Sequence, residues 1–302
     1  MMDLIGEVRD YINEPHTQYK LMKNLTHWHQ VCSSLDVLED TTWGIEFYNN
    51  SDYPAEVGGK YLYTYGLLQL LFVQQDAIKH LSEIFNIEVN LKRDYPELYE
   101  IREIRNDTIG HPTKRGHKDP SYIYISQITL NKRGFQYLSK IINEEMEFKD
   151  VNIIDLVKKQ KNQVSNILNE IINKLNNENK SHKSKFKNKA LMDMIDGSIY
   201  YDFAKLYDND TFIQVNLDCI KDVFSEIKEG IAERYFSIEA LDSVFHLYKD
   251  IDYLINKLEG LLNTYEELSD MEYKLTIESL EQKYEKLVKI CEEIDEEFAM
   301  EE

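Results

Sequence analysis

The stretch YLYTYGLLQLLFVQQDAIKHLSEIF, Tyr61 to Phe85, decides how this chain folds. Leu67, Leu71, Gln74, Ile78, Leu81 and Phe85 recur every three or four residues, the period of one helix face. Tyr61, Tyr65, Leu68, Phe72 and Gln75 make a second stripe beside the first. The spacing predicts a helix over 61–85 that is apolar on two sides and packed on both. It also turns Gln74 and Gln75 inward. A buried amide without partners costs about 2–7 kcal/mol, so both need hydrogen bonds. Either they are core amides serving neighbouring backbone, or they support a polar site lying over this helix.

Outward from that helix the rest of the chain is also mostly helical. Toward the N-terminus, Leu4–Ile12 and Gln18–Leu38 read as helices separated by Pro15. Asn49-Asn50-Ser51-Asp52 and Gly58-Gly59 mark loops. Downstream, Asp94 and Glu97 form a capping-box variant with Pro96 in the first turn, so a helix starts near Asp94. Leu98, Ile101, Arg105 and Thr108 share one of its faces. Gly110 suits its C-cap, and Pro112 forbids continuation. Ser121–Leu130, rich in Tyr and Ile, reads as a short strand or arm.

Helix is expected again from Arg133, and a long helix from Asp150 to about Asn176. The polar run at 177–189 reads as a linker. Leu254, Leu258, Leu261, Tyr265 and Leu268 keep a heptad. Ser269 and Glu272 form a capping box, and Ile277, Leu280, Tyr284, Leu287, Cys291, Ile294 and Phe298 keep a second heptad. This pattern predicts an antiparallel helical hairpin. The expected fold class is all-α: N-terminal helices in 1–60, a helical-bundle core in 61–176 with a short β element, the linker, and a C-terminal helical region in 190–302.

Composition agrees with a helical globular chain. Five prolines and eleven glycines in 302 residues are too few for a turn-rich β fold. The net charge is -20, and it is uneven. Glu266–Glu302 holds fourteen Asp and Glu against four Lys, whereas Arg102–Lys118 holds five Lys and Arg against two acids. The acidic tail is either a set of solvated helix faces or a shield for the basic segment. Three scattered cysteines exclude a disulfide framework and a paired-cysteine zinc pattern, and point to a reducing cytoplasm. No signal peptide is read at the start, and Leu67–Val73 is too short to span a membrane.

The chemistry concentrates in Arg105-Asn106-Asp107-Thr108-Ile109-Gly110-His111, followed by Pro112 and the basic run Lys114-Arg115-Gly116-His117-Lys118. A permanent cation able to hold phosphate is paired with the side chain that exchanges protons near neutral pH. This combination suits RNA cleavage with no metal or other cofactor. The structural alternative has Arg105 paired to a carboxylate and His111 closing the helix end. Two other candidates are weaker. His27, His29 and Cys32 lack a carboxylate to complete a metal site, and Asp76 and His80, one turn apart, suit a surface pair. Tyr122 and Tyr124 could stack on bases, or pack on the bundle or dimer.

The segment REIRNDTIGHP resembles the signature of the HEPN superfamily, an Arg, usually a polar residue, four to six further residues and a His. YGLLQLLFVQQDAIKHL is similar to the partner helix of some HEPN families. The resemblance covers roughly Tyr61–Ile142. It implies a helical bundle that dimerises so that two Arg/His pairs share one cleft. It also implies metal-independent endoribonuclease activity, as in toxins and antiviral effectors, although some members only bind. Some relatives carry a tyrosine three residues after the histidine, the target of an antitoxin; here that position is Lys114, and the regulation is not carried over.

On this reading Arg105 and His111 are catalytic, and Asn106, Asp107, Gln74 and Gln75 support them. Lys114, Arg115 and Lys118 contact RNA phosphates. The expected partners are RNA, a second copy of the chain and, through the C-terminal helices, a regulatory protein. The alternative is a non-catalytic helical module that binds RNA or protein through its heptad surfaces.

Overall fold

The computed structural model describes residues 1–116, 120–142, 144–195, 197–208, 212–263 and 270–299. These form a mostly α-helical protein with one small sheet. In chain order come α1 (Met2–Asn13), α2 (Pro15–Met22), α3 (Leu25–Asn50), α4 (Val57–Ile84), α5 (Leu91–Asp94) and α6 (Pro96–Arg105). A π-turn (Asn106–Gly110) and strands β1 (Ser121–Ile125), β2 (Gly134–Ile141) and β3 (Glu147–Asn152) follow. The remaining helices are α7 (Ile153–Ser184), α8 (Ser198–Tyr207), α9 (Ile213–Tyr235), α10 (Asp242–Asn263) and α11 (Asp270–Ala299). Among the described residues no helix is long and apolar enough to cross a membrane.

The chain divides into two compact units. The first comprises Met1–Ile12 and Asn24–Asn176, the second Asn13–Lys23 and Asn177–Glu302. The N-terminal helices are therefore not a separate layer. α1 and α3 belong with α4, whereas α2 belongs with the C-terminal helices.

In the first unit α3 runs along α4, and Val31, Leu35, Leu38, Leu68, Leu71, Ile78 and Leu81 are fully buried. Each such side chain contributes about 1.5–3 kcal/mol by leaving water. The two helices approach closely at Gly44, where a Cβ would lie 2.6 Å from Leu70 Cδ1. Asn24 caps α3 by accepting from the Thr26 and His27 amides at 3.1 and 3.3 Å. His27 and His29 are exposed on this helix.

Gln74 and Gln75 are fully buried, and both belong to a closed amide network. Gln74 donates to the Thr41 hydroxyl at 3.1 Å and accepts from Gln160 of α7 at 3.1 Å. Gln75 donates to Gln160 Oε1 at 2.9 Å, and Gln160 donates to the Leu71 carbonyl at 2.9 Å. The network locks α7 onto α4 and leaves the amides satisfied.

The segment after Arg133 departs from the expected helix. β2 pairs antiparallel with both β1 and β3, giving the order β1-β2-β3. Phe135 and Tyr137 point inward on alternate residues and are buried. That period of two, combined with hairpin pairing to the strands before and after it, decides for strand over helix. Tyr124 does not pack on the bundle; it is 60% exposed on the open sheet face.

The polar run expected as a linker is largely helix, since α7 continues to Ser184. Asn179 and His182, three residues apart, are buried there. His182 stacks on His16 of α2 with ring centroids 4.9 Å apart, and one of its ring nitrogens lies 2.6 Å from the Arg234 carbonyl oxygen. Tertiary packing overrides the weak helix propensity of the Asn- and Lys-rich sequence.

The second unit is an apolar core of α8 to α11. Ile277, Leu280, Tyr284, Leu287, Cys291, Ile294 and Phe298 of α11 are all buried in it. The second heptad is therefore spent inside the unit and does not form a free surface for a partner. Of the first heptad, Tyr265 and Leu268 lie outside the described residues, as does Ser269 of the expected capping box. Arg234 is the buried charge of this core, held by the Gly230 carbonyl at 2.9 Å, by the Lys189 carbonyl, and by Asp295 at 3.5 Å.

Candidate functional site

The site forms where α6 passes over α4 and unwinds. Pro96 occupies the first turn of α6. Ile101 and Leu98 anchor the helix in the core, which turns Arg102 and Arg105 toward the exposed side of α4. The helix then widens: the His111 amide donates to the Asn106 carbonyl, five residues back, at 2.8 Å. A widened turn of this kind often marks a functional site. At its end, a Cβ on Gly110 would stand 3.0 Å from Arg105 Nη1, so a larger residue there would press on the guanidinium.

Arg105 lies over the Phe72 ring, with its guanidinium carbon 4.2 Å from the centroid. Its Nε and Nη2 both donate to Gln69 Oε1, at 3.1 and 2.8 Å, and its Nη1 donates to Asn106 Oδ1 at 3.2 Å. Both acceptors are neutral amide oxygens. The other arginines are treated differently. Arg9, Arg93, Arg102, Arg115 and Arg234 each have a carboxylate within 4 Å, and among the described residues only Arg105 and Arg133 do not. In a chain of net charge -20 an oriented, partly buried arginine without a counter-charge stands ready for an external anion.

His111 follows the π-turn, with its side chain exposed. Among the described residues its ring makes no hydrogen bond or ion pair, so it does not close the helix end. Asn106 serves both groups: its side chain accepts from Arg105, and its backbone carbonyl holds the His111 amide.

The other expected site residues take different places. Asp107 is buried and accepts from Arg115 and, at 3.1 Å, from the Tyr137 hydroxyl. Burial and the Asp107 charge together push the Tyr137 phenol well above its ordinary value. Arg115 also pairs with Glu103 at 2.7 Å. Burial opposes its charge, but the two carboxylates outweigh this and raise its pKa. Arg115 thus ties the loop after His111 to α6 and to β2, and is already neutralised.

Lys114 is exposed without a carboxylate partner among the described residues, whereas Lys118 lies outside them. Gln75 reaches Arg102, at 3.3 Å, rather than Arg105. Gln74 stays within the core network. A cavity of about 650 Å³ beside the π-turn is lined by Glu100, Glu103, Asp107, Glu147 and Asp150 against Arg115 and Lys149, the wrong sign for a phosphate chain.

Gln69, Phe72, Asp76 and Arg102 were not singled out as site residues by sequence. Arg102 stacks on the Phe72 ring at 4.1 Å and pairs with Asp76, which replaces the expected Asp76–His80 pair. A signal was present: Gln69, Phe72 and Asp76 fall on one side of α4 at helical spacing, and Arg102 and Arg105 do so on α6. Gln69 itself is a lone polar residue within the short apolar run Leu67–Val73. The chain has no significant match to any protein-family model, curated protein or solved structure.

Proposed function

We propose that this protein is a metal-independent endoribonuclease of the HEPN type, acting as a homodimer in the cytoplasm, in antiviral defence or as a toxin. The observation that carries the reading is the neutral seating of Arg105, six residues before an unengaged His111. The structural alternative for Arg105 requires a carboxylate partner, and an amide stands there instead.

The reaction is an internal transesterification. The ribose 2′-oxygen forms a bond to phosphorus and the bond from phosphorus to the 5′-oxygen breaks. The 2′-hydroxyl proton is removed and a proton is delivered to the leaving 5′-oxygen. His111 acts at one of these two positions as general base or acid. Arg105 stabilises the charge that grows on the phosphorane oxygens. In a dimer, His111 of a second copy takes the other position. The products are a 2′,3′-cyclic phosphate and a 5′-hydroxyl. Lys114 adds a phosphate contact and hence salt dependence. Trp43, Phe47 and Leu62 on α3 and α4, 54%, 63% and 72% exposed, supply apolar surface for self-association.

The test is cleavage of a mixed RNA pool in EDTA by wild type and Arg105→Ala, with end-group analysis. Cleavage by wild type alone, leaving cyclic phosphate, is expected. Equal cleavage by both rejects Arg105. Absence of cleavage by either favours a non-catalytic RNA- or protein-binding module.

A further inference from the structure

We propose that Gln69 is the positioning residue of this site, and that its amide keeps the charge of Arg105 available to a phosphate. The inference rests on the phosphate-binding role of Arg105 and adds the group that controls it.

The molecule contains its own comparison. Arg102 and Arg105 sit three residues apart on α6, and their guanidinium carbons lie 4.1 and 4.2 Å from the same Phe72 ring. Both are held from the same side of α4. Arg102 takes the Asp76 carboxylate, which makes the pair neutral, together with the Gln75 amide oxygen. Arg105 takes only an amide from α4, that of Gln69, seven residues before Asp76, and the charge remains. Asp76 and Gln69 differ mainly in a carboxylate against an amide. Both fix the guanidinium in place, but a carboxylate would compete directly with an incoming phosphate.

The donor inventory agrees. A guanidinium has five N–H groups. Gln69 takes the Nε–H and one Nη2–H, and Asn106 takes one Nη1–H. One N–H on each terminal nitrogen is left for an incoming anion. Asn106 cannot hold the side chain alone, since it engages only Nη1.

The experiment uses the full-length, ¹⁵N-labelled protein and inorganic phosphate as the probe, followed at the Arg105 Nε–H resonance. Gln69→Glu should keep that resonance in slow exchange with water, since an acceptor remains, yet weaken phosphate binding by ~tenfold or more. Gln69→Ala should lose the protected resonance but bind phosphate within about threefold of wild type, because the charge stays. In RNA cleavage Gln69→Glu should act mainly on KM and Gln69→Ala mainly on kcat. A merely structural role would lower both variants together.

Wild-type binding of phosphate by Gln69→Glu overturns the inference, as does an equal loss in both variants, or a wild-type resonance that does not respond to phosphate. The predicted split in phosphate binding, with no RNA cleavage by wild type, supports the inference while rejecting the ribonuclease reading.

Discussion

The two units bury polarity in opposite ways. The first threads amides and hydroxyls through its core, with Thr41, Thr42, Gln74, Gln75 and Gln160 all buried and bonded to one another or to backbone. The second packs an apolar cluster, from Ile199 on α8 to Phe298 on α11, and sets single polar groups around it, among them His182, Asn216 and Thr276, with Arg234 buried against carbonyls and Asp295. The difference separates a unit built for packing from one built to hold a polar surface in register. The amide network fixes α7 and α4, α4 presents Gln69, Phe72 and Asp76, and those three seat Arg105 and Arg102. The first unit seats Arg105 on neutral amides, whereas the second places Asp295 3.5 Å from its buried Arg234.

The largest expected effect lies in the first unit and leaves its fold untouched. His111→Ala should lower RNA cleavage by ~10²–10⁴-fold, the usual range for a general acid or base. Its Tm should stay within a few degrees of wild type, because the ring is exposed and makes no internal bond among the described residues. Cleavage at the wild-type rate would remove His111 from the reaction.

In the second unit the same kind of truncation should act on stability alone. Leu280 is fully buried in α11, so Leu280→Ala should cost about 2–5 kcal/mol in a denaturant titration. If the two units unfold separately, the transition that moves should belong to the C-terminal helices.

A third effect follows from pH. Burial, with the neighbouring His182 second, pulls His16 down from 6.5 to about 4, and burial also lowers His182. The unfolded chain therefore binds protons that the folded one refuses. The stability that neutral His16 contributes is present above pH 6.5 and is lost as pH falls toward 4, by up to about 3 kcal/mol. His16→Phe should flatten this dependence, measured by thermal unfolding across that window. An unchanged profile would contradict the assignment.

The smallest effect probes the network beneath the site. Gln160→Leu removes the partner of both Gln74 and Gln75 and should destabilise by about 1–3 kcal/mol. It should lower cleavage less than His111→Ala does, since the link to Arg105 runs only through Gln75, Arg102 and Phe72.

Long periodic segments were legible from sequence. The helix over Tyr61–Phe85 emerges as α4, Val57–Ile84, and the second heptad as the buried face of α11. The polar cluster at 105–111 was legible as residues but not as geometry. A π-turn leaves no mark in hydrophobic spacing, and Gly110 reads equally well as an ordinary cap. The sheet at 134–152 was hidden because Gly134 to Ile141 is too short to fix its period and draws its stability from pairing with the strands on either side. The end of α7 was hidden because the burial of Asn179 and His182 comes from other helices. Gln69 was hidden because a lone polar residue in an apolar run shows its partner only once α6 is laid across α4.

The most direct test compares the two arginines that share Phe72. Single-turnover cleavage of one RNA substrate in EDTA should fall by ~10²-fold or more in Arg105→Ala. It should stay within about tenfold of wild type in Arg102→Ala, whose charge is already met by Asp76. Equal losses in the two variants, or a larger loss at Arg102, would contradict the claim that the arginine seated by neutral amides is the one that acts.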